Sequence, residues 1–167
     1  MKEILLDELG VKQFNNELSR LKDLSLTSAT TGSEAYNAAI GDGWHDNFDF
    51  EESMRESRKI AKRIDKMTEE KENIKIIKDK NLGNDYINIG DTFEIELKYS
   101  ENDIEKEIIT LTGKYIPNTE LKIKEVSLNS PLGKNTYHQK INTVGEYKVG
   151  DNVIQIKIIR KINEDDL

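Results

Sequence analysis

Thr92-Phe93-Glu94-Ile95-Glu96-Leu97-Lys98-Tyr99 decides how the second half of this chain folds. Phe93, Ile95, Leu97 and Tyr99 alternate with Thr92, Glu94, Glu96 and Lys98, a period of two that gives a strand one apolar and one wet face. Ser100-Glu101-Asn102-Asp103 then reads as a turn, and a second strand follows from about residue 105 to 115. Downstream, Gly150-Asp151-Asn152 links Glu146-Tyr147-Lys148-Val149 to a strand over residues 153–161. Residues 121–128 read as one more strand, and Ser130-Pro131-Leu132-Gly133 starts a loop or short helix able to cover a sheet face. The expectation is a small antiparallel β domain over residues 85–163, with an acidic tail at 164–167.

Upstream the period changes. No proline occurs before Pro117, so long helices are permitted in the first half. Val11, Phe14, Leu18 and Leu21 are spaced three, four and three apart, the seam of a coiled-coil helix. A second seam is read through Phe50, Met54, Ser57, Ala61, Ile64 and Met67, with charged residues on the other faces. Neither stripe can be buried alone, so the two helices are expected to pair as an antiparallel coiled coil over residues 1–81. The reversal falls near residues 41–50, where Gly41-Asp42-Gly43 interrupts the pattern. Leu26 to Ser33, rich in Thr, Ser and Gly, is expected to be weak, bent or locally melted helix. Asn81-Leu82-Gly83-Asn84 reads as the joint between the halves, and the fold class is α+β.

The 167 residues carry no cysteine, which excludes disulfides and thiolate metal sites. Charged residues make up 34% and match the apolar share of 35%, which suits an elongated molecule better than one compact core. Acids interrupt the first residues before any run reaches signal-peptide length, and no span of about 18 apolar residues exists, so a cytoplasmic protein without a membrane partner is expected. A net charge of −7 argues against a dedicated duplex-DNA binder. No Ser-His-Asp order, HExxH, P-loop or GxGxxG pattern appears.

Three segments resemble the Gre transcript-cleavage factors. Leu9-Gly10-Val11-Lys12-Gln13-Phe14-Asn15-Asn16-Glu17-Leu18-Ser19-Arg20-Leu21 is similar to the family's first helix. Gly41-Asp42-Gly43-Trp44-His45-Asp46-Asn47-Phe48-Asp49-Phe50 resembles its G-D-x-x-E-N-x-x-Y tip, with Asp42 and Asp46 at the acids, Asn47 at the asparagine and Phe50 at the tyrosine. Val126-Ser127-Leu128-Asn129-Ser130-Pro131-Leu132-Gly133-Lys134 is similar to the S-x-x-SPLG-[KR] segment of the C-terminal domain, the most specific of the three. The tip departs from the pattern in two respects: one residue more separates the acids, and the second acid is aspartate instead of glutamate. Trp44-His45 at the apex is also unusual there.

The resemblance implies an FKBP-like β domain and a monomeric accessory factor, not an enzyme. It would enter the secondary channel of bacterial RNA polymerase and stimulate cleavage of the 3′ end of backtracked RNA by the polymerase's own active site. Asp42 and Asp46 would be the catalytic pair, sharing a Mg²⁺ with polymerase while the free protein binds none. Such a role suits a hard cation, which prefers carboxylate oxygens and retains waters. Gly41, Trp44, His45, Asn47 and Phe50 would support the tip, and Asn129, Ser130 and Pro131 would form the polymerase-binding loop.

Each of these residues also has a plainer reading. The acids could serve ordinary turn and cap chemistry. Trp44 is either an anchor or folded onto the hairpin, while His45 is a base, a metal ligand or simply solvated. Arg55, Lys59, Lys62 and Arg63 follow an acidic stretch, Asp42 to Glu52, that holds no Lys or Arg; they either contact the RNA or channel wall or form a solvated helix face. His138 reads as structural or surface. Two other functions remain open: a non-cleaving secondary-channel regulator or inhibitor, and a generic interaction module. An isomerase pocket is disfavoured by the scarcity of aromatics.

Overall fold

The computed structural model describes residues 3–39, 48–78 and 80–163. Its elements are β1 (Ile4–Leu6), α1 (Glu8–Ala39), α2 (Phe48–Lys71), β2 (Ile74–Ile76), β3 (Thr92–Ser100), β4 (Asp103–Thr112), β5 (Lys124–Ser127), α3 (Pro131–Thr136), β6 (Val144–Val149) and β7 (Asn152–Lys161). Phe14–Ile74 forms one compact unit, and Glu3–Gln13 with the chain from Lys75 onward forms the other. The division expected at 81–85 falls inside the second of these units. The start of α1 and the segment after β2 belong with the sheet: the Asp7 amide donates to the Gly113 carbonyl at 3.1 Å, the Ile77 amide to Leu6 at 2.8 Å, and Ile87 is buried in the sheet core.

In the helical unit α1 buries Phe14, Leu18 and Leu21 as their spacing predicts, and burying each contributes about 1.5–3 kcal/mol before entropy is counted. Glu17, near the start of α1, feels the charge of Arg63, late in α2. Since only residues 40–47 separate the end of α1 from the start of α2, too few to run back along a parallel pair, the two helices run antiparallel. Leu26 to Ser33 continues as unbroken α1, so of the weak, bent or locally melted helix expected there the melted form is not seen. The hydroxyls of Thr27 and Thr30 donate to the carbonyls of Asp23 and Leu26 at 3.1 and 3.0 Å, so these residues are satisfied without leaving the helix.

The seam of α2 also needs correcting. Its buried and half-buried positions include Ser53, Ser57, Ile60, Ile64 and Met67, whereas Met54 and Ala61 are exposed. Spacings of four, three, four and three keep a seven-residue repeat facing the partner helix, and a one-residue offset rotates a side chain by about 100° away from it. Ile60 outranks Ala61 as seam residue for that reason. Ser53 is accepted despite its hydroxyl because the repeat leaves it no other place.

In the sheet unit the strand order is β5-β4-β3-β7-β6, which places the alternating stretch at the centre. β3 runs antiparallel to β4 and β7, and β6 antiparallel to β7. Phe93, Ile95 and Leu97 from β3 meet Ile109 and Leu111 from β4 and Ile154, Ile156 and Ile158 from β7 on one face. Leu128 and the half-buried Leu132 and Tyr137 cover that face from α3 and the loop before it. Gly150, at φ +60°, takes the first central position of the two-residue β6–β7 turn, a conformation that suits glycine. One pairing differs from the expected antiparallel sheet: β5 lies parallel to β4. A parallel neighbour needs a crossover, and the chain from Gly113 to Ile123 provides it. β1 and β2 pair as a separate two-stranded sheet.

Candidate functional site

The acid pair lies between the two long helices. α1 ends at Ala39 and α2 begins at Phe48, and Gly41, Asp42, Trp44, His45, Asp46 and Asn47 lie outside the described residues. Phe50 stands in the first turn of α2. A helix N-terminus favours negative charge, and Asp49, Glu51 and Glu52 accordingly open this one.

Beyond the first turn α2 turns basic. Arg55, Lys59 and Lys62 are exposed and spaced four and three apart, so they share the face opposite the seam. Arg58 and Lys66 extend that face, giving a cationic strip about 16 Å long. Lys66 also pairs with Glu70 at 3.8 Å. Arg63 is different: it is half-buried and its charge reaches Glu17. A hydrogen bond from Arg20, at 2.8 Å, holds the Glu17 carboxyl below its ordinary value, against a smaller upward push from burial. Of the four cations singled out from sequence, three are exposed and the fourth is half-buried. Arg58, three residues after Arg55 and four before Lys62, stands on the same face as the cations singled out from sequence.

The motif Asn129-Ser130-Pro131-Leu132-Gly133 is built residue by residue. Ser130 caps α3: its hydroxyl accepts from the Gly133 amide at 2.9 Å and donates to the Ser127 carbonyl at 2.7 Å. Pro131 occupies the first helical position, where a missing N–H costs nothing. Leu132 reaches the core, and Gly133 is pressed so close to the end of β5 that a Cβ there would stand 2.1 Å from the Ser127 carbonyl oxygen. Asn129 uses both ends of its amide on one residue of β1: Oδ1 accepts from the Leu5 N–H and Nδ2 donates to the Leu5 carbonyl, each at 2.8 Å. Pro131 and Lys134 are the exposed members. Thus Asn129 and Ser130, grouped with Pro131 as a docking loop, have their polar groups engaged internally, and the outward surface shifts toward Pro131 and Lys134.

The glycine of the first-helix segment has a similar cause. Asp7 caps α1 by accepting from the Gly10 amide at 2.6 Å, and a Cβ on Gly10 would lie 2.3 Å from the Gly113 carbonyl oxygen. Nearby, Glu125 of β5 is pushed up by burial, yet its bonds from Lys114 at 2.5 Å and from the Asn118 amide at 2.8 Å, with the Lys114 charge, outweigh this and leave its carboxyl below the ordinary value. His138 stacks on Tyr137 with ring centroids 3.8 Å apart and donates its amide to the Ile87 carbonyl, so its place is structural. Among the described residues no cluster of His, Asp and Glu could hold a metal, and no helix is long and apolar enough to cross a membrane.

No family profile matches the chain. Among curated proteins it is similar to transcription elongation factor GreA of Ureaplasma parvum serovar 3, at 30% identity over 118 residues that cover 71% of this chain and 72% of the relative. GreA of Acetivibrio thermocellus is 25% identical over 159 residues, 95% of each chain. Among solved structures, GreA factor homolog 1 (Gfh1) of Thermus thermophilus aligns over 97% of this chain and all of its own at 17% identity, with a TM-score of 0.43.

Proposed function

The chain belongs to the Gre family of transcription elongation factors, and from that membership we propose that it enters the secondary channel of bacterial RNA polymerase and stimulates cleavage of the 3′ end of backtracked RNA. One observation carries the reading: Asp42 and Asp46 stand in the connection between two antiparallel helices, and an exposed basic face follows them on α2. In this reading the chain is an accessory factor, and the nuclease is the polymerase's own active site.

The donor set suits magnesium, which takes carboxylate oxygens and keeps several waters, so Asp42 and Asp46 would hold the ion jointly with polymerase. Bound there, the ion would supply activation of the attacking water or support of the leaving oxygen in an in-line displacement. Arg55, Lys59 and Lys62 attract the phosphates of the extruded RNA segment and set its path along the helix. Pro131 and Lys134 give the sheet unit an exposed edge for docking at the channel rim. Gly41, Trp44, His45, Asn47 and Phe50 would support the tip that carries the two acids.

The altered tip favours a second reading, a Gre-like factor that occupies the channel and regulates without cleaving. Mixing the purified chain with a stalled, backtracked elongation complex separates the two. Shortening of the RNA that D42N or D46N abolishes while binding persists supports cleavage. Intact RNA with slowed synthesis supports the regulator, and failure to bind core polymerase removes both.

A further inference from the structure

We infer that Asn129 is a positioning residue, which clasps β1 to the motif loop so that a partner gripping Pro131 and Lys134 also fixes the first turn of α1. The inference rests on the proposed docking at polymerase and deepens it.

β1 is only three residues long, and β2 is its neighbour on one side. On its other side the Leu5 N–H and C=O face the Asn129 amide and bond both of its ends at 2.8 Å. A side-chain carboxamide carries the same donor and acceptor as a peptide group, so Asn129 stands in for the strand that β1 lacks. This pairing also fixes which end of the amide is oxygen. No other residue type does the job: aspartate has no donor, leucine has neither group, and glutamine is a methylene too long.

The clasp has a firm base. Asn129 donates its own amide to the Ser127 hydroxyl at 3.2 Å, and Leu128, fully buried, donates to the Thr112 carbonyl at 2.9 Å. Beyond Leu5 the chain runs directly into the Asp7 cap and the Gly10–Gly113 contact, which hold the first turn of α1. A short path therefore leads from the exposed Pro131 through Asn129 and Leu5 to the root of α1, all within the sheet unit. Were Asn129 instead a contact to the partner, binding would strip both hydrogen bonds from Leu5 and leave its groups unpaired.

The test uses the full chain with N129L, which removes donor and acceptor together, and L5P, which removes the N–H from the other side. In N129L the Leu5 amide, having lost its acceptor, is expected to exchange about tenfold faster while the Ile95 and Ile156 amides are unchanged. For both variants polymerase affinity is expected to stay within about threefold of wild type, while RNA cleavage at saturating factor falls about tenfold. The inference is overturned if N129L weakens polymerase binding about tenfold with cleavage at saturation intact, or if Leu5 exchange does not change. Should N129L not fold, the L5P split decides alone. Wild type that fails to bind polymerase would sink the proposed function, and the Leu5 exchange result would still judge the clasp.

Discussion

Replacing Gly133 by alanine should cost the sheet unit about 2–3 kcal/mol, a large effect for one methyl group. The new Cβ would lie 2.1 Å from the Ser127 carbonyl oxygen and 2.9 Å from Leu128 Cα, and both neighbours are backbone. Neither can rotate away, so α3 has to retreat from β5 by about 1 Å, since a relaxed contact needs more than 3 Å. That retreat stretches the Ser130 hydroxyl off Ser127, now 2.7 Å away, and weakens the cap, which is itself worth about 1 kcal/mol. Overpacking adds about 1–3 kcal/mol, and the reduced chain entropy of alanine returns about 0.5–1. For a domain of this size the sum lowers the melting temperature by about 10 °C or more. Thermal unfolding followed by circular dichroism measures it, with G145A as control, because a Cβ on Gly145 meets Ile156 Cγ2 at an ordinary 3.5 Å. A G133A melt within about 2 °C of wild type would refute the close-approach account of the motif's glycine.

Two further outcomes are expected. M67A should destabilise the helical unit by about 2–5 kcal/mol and M54A by under about 1, because Met67 is fully buried and Met54 is 39% exposed; equal losses in urea denaturation would restore Met54 to the seam. Glu125 titrates below its ordinary 4.5, so its stabilisation is present above that value and lost as pH falls through the lower folded-state value. E125Q should therefore be less stable than wild type at pH 7, with the gap closing in acid below about pH 4; a gap independent of pH would place the effect in packing instead of charge.

Much of this is legible in the sequence, and the rest was hidden for several physical reasons. The strand alternation at Phe93, Ile95 and Leu97 and the α1 seam at Phe14, Leu18 and Leu21 announce themselves because a buried face must repeat at the period of its element. Leu26 to Ser33 reads as a weak stretch because Thr and Ser prefer caps and turns in isolation, and the back-bonds of Thr27 and Thr30 are visible only in a formed helix. Met54 draws the seam one residue off because it is apolar where Ser53 is not, and the seven-residue phase through Ile60 and Met67 shows only in the packed helix. β1 and β2 are three residues each, too short to show any period, and the Leu5–Asn129 clasp joins residues far apart in sequence. No local pattern signals such a contact. Of the candidate site, the motif around Ser130 and Pro131 was readable as a segment, whereas the inward use of Asn129 and the tight seat of Gly133 needed the neighbours they meet.

The most direct test follows the rate of RNA cleavage in a backtracked complex as magnesium is varied, with and without the chain. If Asp42 and Asp46 lend oxygens to an ion polymerase holds weakly, the factor shifts half-maximal cleavage to lower magnesium, and D42N or D46N returns the midpoint to that of polymerase alone. A stimulated rate with an unmoved midpoint, or a shift that survives both substitutions, would contradict the account.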